Sequence, residues 1–191
     1  MKEQEVKKAI IPIAGLGTRF LPLSKTLSKE FFPLVDKPVI QYIVEEAKNS
    51  GIDEIVFVVS PEQKAILNYF RKSPDIEKIL IKRKKENLLK ELKEFHEKFD
   101  GISFSFVVQK EPLGDGHALL QAAKESKNKP VAVSFGDDVV DSETPALLQL
   151  INIFKTCSTP VIALKELPKE KVPAYGAVAV EKIASRLYKI K

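Results

Sequence analysis

Residues 9–19 have the sequence AIIPIAGLGTR, and this stretch decides the fold class. Its first part, Ala9 to Ala14, is an apolar run without the polar alternation of a strand that has one face in water. Such a run is typical of a strand buried on both faces, inside a parallel sheet that helices cover on both sides. Gly15 and Gly17 then interrupt the strand pattern. The stretch therefore predicts a first strand that leads into a glycine-rich loop at the carboxyl edge of an α/β sheet.

The rest of the chain alternates between strand patterns and helix patterns, which predicts an α/β domain with a mostly parallel central sheet and helices on both faces. A helix is expected to begin at Pro38, because proline suits the first helical turn and Asp36 can cap its amides. The chain ends in residues 187–191, a strand pattern that no turn or cap closes. From this we expect a single domain over residues 1–191 that is truncated at its carboxyl end. Further strands are predicted at residues 55–59, 104–108, 131–135, 161–164 and 177–180, and further helices at residues 63–71, 86–99, 117–124 and from residue 145.

The composition restricts the classes of function. Of the 191 residues, 44% are hydrophobic and 30% are charged, as in soluble globular proteins, and no apolar run approaches the ~20 residues that span a bilayer. The single cysteine, Cys157, cannot form a disulfide within the chain, so we expect a cytoplasmic location. The formal charge of +5 is mild, and its densest cluster, residues 82–85, lacks interleaved aromatic residues. This favours a solvated helix face over a nucleic-acid site.

The glycine-rich loop is where chemistry is expected, because the ligands of open α/β sheets bind at the carboxyl ends of the strands. Gly15 and Gly17 let the backbone approach a phosphate or a base closely, and Arg19 offers a fork of donors suited to phosphate. The dinucleotide fingerprint would need a third glycine where Phe20 stands, and a Walker loop would need a Gly-Lys-Ser/Thr sequence, which is absent. A tight turn with a surface arginine stays open as the simpler interpretation of these residues alone.

A longer pattern follows from the same loop. It consists of Ala14-Gly15-Leu16-Gly17-Thr18-Arg19, then Lys29-Glu30, Pro33, and Val35-Asp36-Lys37-Pro38 with Ile40-Gln41-Tyr42. In order and spacing this pattern resembles bacterial UTP–glucose-1-phosphate uridylyltransferases, which are sugar nucleotidylyltransferases with a Rossmann-like nucleotidyltransferase fold. The resemblance implies that residues Ala14, Gly15, Leu16, Gly17 and Thr18 cradle the nucleotide, and that Arg19 and Lys29 bind phosphates as the catalytic residues. Ser28 departs from the family, which usually has proline at this position.

A second element of the same family follows the third predicted strand. Gln109 precedes Gly114-Asp115-Gly116-His117-Ala118, and a side-chain amide has both a donor and an acceptor for the edge of a pyrimidine. Alone, these residues are equally well described as a strand end and a glycine turn. The resemblance implies that Gln109 and Gly114 bind the uracil base, although Asp115 replaces the usual leucine. We expect a structural or positioning role for His117, because the attacking phosphate oxygen is already ionised and needs no base.

The third element is Gly136-Asp137-Asp138, after the fourth predicted strand. A carboxylate at a strand end is well placed to hold Mg²⁺ against triphosphate oxygens, although an Asp-rich turn would look the same. The resemblance to the Gly-Asp-Asp element of the family implies that Asp137 is the metal ligand. Tyr175-Gly176 resembles a family segment in which the backbone meets the sugar, which implies a sugar-binding role for Gly176.

The resemblance covers essentially the whole chain and corresponds to about the amino-terminal two thirds of such an enzyme. It implies an enzyme of carbohydrate metabolism that converts UTP and glucose 1-phosphate to UDP-glucose and pyrophosphate, with Mg²⁺ as cofactor. Neither nucleic acid nor a membrane is expected as a partner, and the complete enzyme is expected to be a homo-oligomer. Two alternatives stay open. The first is a thymidylyltransferase, which the Gly116-His117-Ala118 element disfavours. The second is a non-catalytic nucleotide-binding module, and its one argument is that the family's later sugar-binding and metal-binding residues lie beyond this chain.

Overall fold

The computed structural model describes residues 5–63 and 65–191. Its strands are β1 (Lys8–Pro12), β2 (Pro33–Leu34), β3 (Lys37–Pro38), β4 (Glu54–Val59), β5 (Ser103–Val108), β6 (Ala132–Val133), β7 (Val180–Ala184) and β8 (Leu187–Ile190). Its helices are α1 (Val39–Asn49), α2 (Ile66–Phe70), α3 (Pro74–Lys82), α4 (Glu86–Glu97), α5 (Asp115–Gln121) and α6 (Ala146–Cys157). The strands β1 to β6 and all six helices belong to one compact unit that ends at Val161, and β7 and β8 belong to a second unit, Ile162–Lys191.

The first unit is organised around a four-stranded parallel sheet with the order β5-β4-β1-β6. Strand β1 lies inside this sheet, and its Ile10 is in register with Val56 of β4 on one side and Val133 of β6 on the other. All five residues of β1 are buried, as the apolar run predicts for the four residues after Lys8. The predicted α/β architecture with a parallel central sheet is confirmed.

Helices cover both faces of the sheet because successive side chains of a strand point to opposite faces. Phe57 of β4 lies in the larger hydrophobic cluster, among residues of α1, α2 and α6. Its neighbours Val56 and Val58 lie in a smaller cluster with Ala118 of α5 and with Ala122. With both faces covered, the loops that follow the strands are the part of the sheet left open to a ligand.

The predicted start of the first helix is wrong by one residue, and so is its predicted cap. Helix α1 begins at Val39, Pro38 is its N-cap in an extended conformation, and no side chain caps the helix, so Asp36 does not have the predicted role. The reason is local pairing. Pro38 belongs to β3, which forms a short antiparallel ladder with β2 before the helix begins.

The predicted strands beyond residue 130 are mostly too long. The fourth strand contains only Ala132 and Val133, although the N–H of Ser134 still donates to the carbonyl of Ile10 at 3.2 Å before the chain turns away. Residues 161–164 form no strand. Their apolar pattern alone does not provide a neighbouring strand to pair with, and a strand needs one.

In the second unit, β7 and β8 form an antiparallel pair in which Val180 is in register with Ile190. The strand expected at residues 187–191 is therefore β8, and the expected strand at 177–180 overlaps β7 only at Val180. The link between them contains Arg186 in a left-handed conformation, with a φ of 59°. Across the described residues of both units, no helix combines the length and apolar character that crossing a membrane would need.

Candidate active site

A cleft of about 320 Å³ lies at the carboxyl edge of the parallel sheet. The loops that follow β1, β5 and β6 form its walls, because parallel strands end at the same edge of a sheet. These loops are far apart in the sequence but adjacent in the fold. The predicted site residues that line the cleft are Ala14, Gly15, Leu16, Gly17, Thr18, Lys29, Gln109, Gly114 and Asp137.

Two predicted site residues do not line this cleft. Arg19 is exposed in the short 3-10 turn Thr18–Phe20, outside the wall that the described residues form. Gly176 belongs to the second unit, where it is exposed in the segment before β7. The phosphate-binding role of Arg19 and the sugar-binding role of Gly176 therefore stay predictions.

The glycine-rich loop requires glycine at Gly17 for two reasons. Its φ of 59° lies in the left-handed region, which side chains with a Cβ rarely adopt. A Cβ on Gly17 would also lie 3.2 Å from the Cβ of Ser24 and 3.6 Å from the Cβ of Lys29. The loop is thus folded back on the segment that carries Lys29, which places the glycine backbone and the lysine in the same cleft wall.

Lys29 and Asp137 form an ion pair inside the cleft, with 2.5 Å between Nζ and Oδ2. The two side chains are 24% and 47% exposed. An ion pair this accessible to water contributes about 1 kcal/mol or less to stability, so an incoming ligand can open it at little cost. Both charges are then available, the ammonium for an anion and the carboxylate for a cation.

Glu30 is the residue that the sequence analysis left without a role. Its carboxylate is 1% exposed, accepts a hydrogen bond from the Ser28 hydroxyl, and lies 3.9 Å from the ammonium of Lys29. Burial raises the pKa of Glu30, while the hydrogen bond from Ser28 and the charge of Lys29 act in the opposite direction. The Lys-Glu dipeptide marks this residue in the sequence, but nothing in the sequence shows that its carboxylate is buried.

Gly136 joins three segments of the site. A Cβ on this residue would lie 2.5 Å from Cγ2 of Ile13 and 3.0 Å from Cγ of Glu30, so no side chain fits there. The loop after β6 therefore packs directly on the end of β1 and on the turn that contains Lys29 and Glu30. This close approach places the next residue, Asp137, within reach of Lys29.

The donor set at Asp137 suits a hard cation that arrives with its own ligands. Among residues 5–63 and 65–191, no three His, Cys, Asp or Glu side chains form a group that could hold a metal ion. Mg²⁺ does not need such a group, because proteins bind it through one or two carboxylates while water and substrate phosphates supply the other ligands. The single carboxylate of Asp137 is therefore compatible with Mg²⁺.

On the β5 side of the cleft, Gln109 is held by three contacts, one of its backbone and two of its side-chain amide. Its backbone N–H donates to the carbonyl of Val59 at 2.9 Å, which extends the β4–β5 ladder by one residue. Its side-chain Nε2 donates to the carbonyl of Gly114 at 3.1 Å and lies 2.9 Å from Nδ1 of His117. Only 5% of Gln109 is exposed. The structure thus presents a buried, oriented amide to the cleft.

Comparisons with known proteins point to one family. A profile of the nucleotidyl transferase family matches residues 8–190. A UTP–glucose-1-phosphate uridylyltransferase of Staphylococcus haemolyticus is 41% identical over 188 residues, which are 98% of this chain and 64% of that protein. The chain thus spans less than two thirds of the length of this curated relative.

Solved structures agree with the sequence comparisons. A UTP-bound UGPase from Acinetobacter baumannii superposes with a TM-score of 0.86 at 35% identity, over 95% of this chain and 64% of that one. A UDP-glucose pyrophosphorylase in complex with UDP-glucose superposes with a TM-score of 0.83 at 36% identity, over 98% of this chain and 67% of that one. The Rossmann-like nucleotidyltransferase fold is confirmed.

Replacement of Gly136 by alanine is expected to destabilise the first unit by about 1–3 kcal/mol, because the added methyl group overpacks the contact with Ile13 and Glu30. The matched control is Gly116→Ala, since a Cβ there meets nothing within 4 Å and alanine favours the helix α5. The free energy of unfolding in urea checks both variants. Equal stability of the two variants would contradict the assigned packing.

The free energy of unfolding of Glu30→Gln, relative to that of the unaltered chain, is expected to increase as the pH rises above 4.5, the ordinary pKa of a glutamate. The raised pKa means that folded Glu30 keeps its proton at a pH where the unfolded chain has lost it, so the stability from this residue is lost as the pH rises through the folded pKa. Glutamine has no such proton, and its oxygen still accepts from Ser28. Urea unfolding of both chains at several pH values tests this. If the free energy of unfolding of the variant minus that of the unaltered chain decreased with rising pH, this would argue against a raised pKa of the buried Glu30 carboxyl.

Proposed function

The chain belongs to the nucleotidyl transferase family, and from this premise we propose that it carries the nucleotide-binding part of a UTP–glucose-1-phosphate uridylyltransferase. The proposed reaction is attack by the phosphate oxygen of glucose 1-phosphate on the α-phosphorus of UTP, which forms UDP-glucose and expels pyrophosphate. The relatives named above carry this activity in their names. The proposal extends it to this chain through the residues of the cleft.

One observation supports the proposal most directly. A glycine-rich loop, a lysine, a carboxylate and an oriented amide converge on one cleft from three strand ends. A nucleoside triphosphate has a matching set of groups, namely anionic phosphates, a hard metal ion and a base with hydrogen-bonding edges. A simple glycine turn with solvated neighbours would not bring Lys29, Asp137 and Gln109 together.

The phosphates are proposed to lie along the glycine-rich loop and Lys29. Backbone N–H groups near Gly15 and Gly17 can donate to phosphate oxygens, and the ammonium of Lys29 can neutralise the charge that develops as pyrophosphate leaves. The attacking phosphate is already an anion, so no general base is required. The residues of the cleft would act by positioning and by charge neutralisation, without a covalent intermediate.

Asp137 is proposed to bind the metal. A bound Mg²⁺ supplies positive charge to the phosphate oxygens and so favours departure of pyrophosphate. In the free protein Asp137 pairs with Lys29, and binding of the nucleotide would separate the two, giving each charge a partner on the ligand. Arg19 is retained in the proposal as a second phosphate ligand and Gly176 as a sugar contact, on the strength of the family resemblance alone.

Gln109 and Gly114 are proposed to bind the base. Gln109 and Gly114 both line the cleft, and a side-chain amide with a neighbouring backbone can serve the N3–H and the carbonyl oxygens of uracil. Thymine has the same edge and differs by a methyl group, so dTTP is the close competitor. We further propose a cytoplasmic location for the enzyme and a homo-oligomeric state for its complete form.

The first test is calorimetric titration of this chain with UTP, dTTP and ATP in the presence of Mg²⁺. We expect UTP to bind most tightly, and Gln109→Ala to weaken UTP by about tenfold, because it removes a buried hydrogen-bonding partner of the base. The control is Gln149→Ala, which alters a half-buried glutamine on α6 whose side-chain amide hydrogen-bonds to the carbonyl of Thr144 and the hydroxyl of Ser142.

The same samples are checked by circular dichroism, so that a loss of binding can be separated from a loss of folding. A folded chain that binds none of the three nucleotides would contradict the proposal. Equal binding of UTP and ATP would contradict the base site while leaving the phosphate site standing. Binding is the primary measurement because the chain spans 64% of its curated relative.

The role of Asp137 is tested by measuring UTP affinity with Mg²⁺ and with EDTA. In Asp137→Asn we expect weaker binding of UTP with Mg²⁺ but tighter binding of metal-free UTP, because Lys29 loses its competing carboxylate partner. Asp138→Asn is the matched control, since Asp138 does not line the described cleft. Loss of affinity by Asp137→Asn under both conditions would show that the carboxylate does not act through the metal.

A further inference from the structure

His117 is the residue near the cleft that the proposed reaction does not use. We propose that it is a positioning residue, which holds the amide of Gln109 with its oxygen toward the base and so selects bases with a hydrogen on N3, uracil and thymine, over cytosine. This inference rests on the proposed binding of a uridine nucleotide. It is carried by two contacts of the Gln109 amide, one with the carbonyl of Gly114 and one with Nδ1 of His117.

The carbonyl of Gly114 determines which end of the Gln109 amide faces it. A peptide carbonyl only accepts hydrogen bonds, and the amide of Gln109 lies 3.1 Å away through Nε2. The opposite orientation would place the amide oxygen of Gln109 against the carbonyl oxygen of Gly114. Both atoms accept hydrogen bonds, and Gln109 is only 5% exposed, so little water is available to separate them. The nitrogen of Gln109 therefore faces Gly114.

The same nitrogen determines the tautomer of His117. Nε2 of Gln109 is a donor only, and it lies 2.9 Å from Nδ1 of His117, so Nδ1 must be the ring nitrogen without a hydrogen. Both N–H bonds of the Gln109 amide are now used, one on Gly114 and one on His117. None is left to donate to a nucleotide base.

On the far side of the ring, Nε2 of His117 faces the side chain of Gln121. A neutral imidazole with a bare Nδ1 carries its hydrogen on Nε2, whereas the amide atom 3.0 Å from it is Nε2 of Gln121, which is also a donor. Gln121 is exposed, so its amide can turn its oxygen toward the Nε2–H. With both ring nitrogens occupied by amides, His117 is not placed to act as an acid or a base on the phosphates.

The oxygen of Gln109 is what remains for the ligand. No donor in the described part of the chain hydrogen-bonds to Oε1 of Gln109. Among the described residues, Oγ of Ser24 is the one fully buried side-chain atom without a hydrogen-bond partner. Oε1 of Gln109 also lacks a partner among them, so it cannot be fully buried. Because Gln109 lines the cleft, the proposal directs this oxygen toward the ligand as an acceptor.

An acceptor at this position matches the N3–H of uracil and thymine and opposes the lone pair on N3 of cytosine. A site that hydrogen-bonds a particular N–H rejects a base without it, because the acceptor would be left unpaired. Without an acceptor at Nδ1 of His117, one N–H of the Gln109 amide becomes free to turn toward the base. The amide could then serve either edge, and the discrimination would decrease.

The test is the ratio of UTP to CTP affinity, measured by calorimetry with Mg²⁺ for the unaltered chain and three variants. His117→Ala is expected to reduce the ratio by about tenfold, because it frees the second N–H of Gln109. His117→Asn places an amide oxygen near the position of Nδ1 and is expected to keep most of the selectivity. His117→Gln reaches the position of Nε2 instead and is expected to behave like His117→Ala, and dTTP is expected to follow UTP in every variant.

The outcomes separate this inference from the proposed function. An unaltered chain that does not prefer UTP to CTP would contradict the proposed base site itself. A selective unaltered chain together with a selective, folded His117→Ala variant would overturn the positioning role alone. Equal selectivity of the Asn and Gln variants would also overturn it, because a merely structural role of His117 gives no reason for Nδ1 to matter more than Nε2.

Discussion

The site depends on a contact that has no room for a side chain. Gly136 packs on Ile13 and Glu30, and this contact holds the loop after β6 against the end of β1 and against the turn that carries Lys29. Because Asp137 lies 108 residues beyond Lys29 in the sequence, nothing local could place the two side by side. The parallel sheet brings the strand ends to one edge, and the missing Cβ then allows the loops to touch. Residues with opposite charges thus meet at one point of the cleft, at the place where phosphate and metal are proposed to bind.

The charges of the cleft are arranged in two layers with different accessibility. The outer pair, Lys29 and Asp137, is exposed enough for its mutual attraction to be weak, and each member can exchange its partner for a ligand group. The inner carboxylate, Glu30, is buried and held by Ser28, so it cannot leave in the same way. A serine at position 28 therefore supplies a donor that the proline usual in the family would lack. The inner layer fixes the position of the turn, and the outer layer stays available for chemistry.

The sequence predicted the fold well where a single pattern decides it. The unbroken apolar run of β1 implies burial on both faces, and the structure has β1 inside a parallel sheet with helices on both sides. The errors occur where pairing decides. Pro38 pairs with Pro33 instead of opening the helix, and residues 161–164 are apolar but have no strand beside them. The loop residues of the cleft were predicted through their resemblance to a family, whereas the burial of Glu30 and the exposure of Arg19 depend on contacts that no linear pattern contains.

The donor and acceptor roles of the hydrogen bonds are the feature of the site that is hardest to predict from a sequence. Gln109 offers a donor and an acceptor, and the residue type alone leaves both for the base. The choice is made by a peptide carbonyl, that of Gly114, whose direction follows from the backbone φ of 89° and ψ of 176° at that residue. This carbonyl accepts one N–H of the Gln109 amide and so orients the amide. The other N–H faces Nδ1 of His117, which must then be the ring nitrogen without a hydrogen. A conformation that glycine adopts readily is thereby connected to the hydrogen-bonding pattern that is proposed for the base. Under the proposal, recognition of the base follows from backbone geometry acting through Gln109 and His117, and the identity of these two side chains is necessary for it but does not determine it.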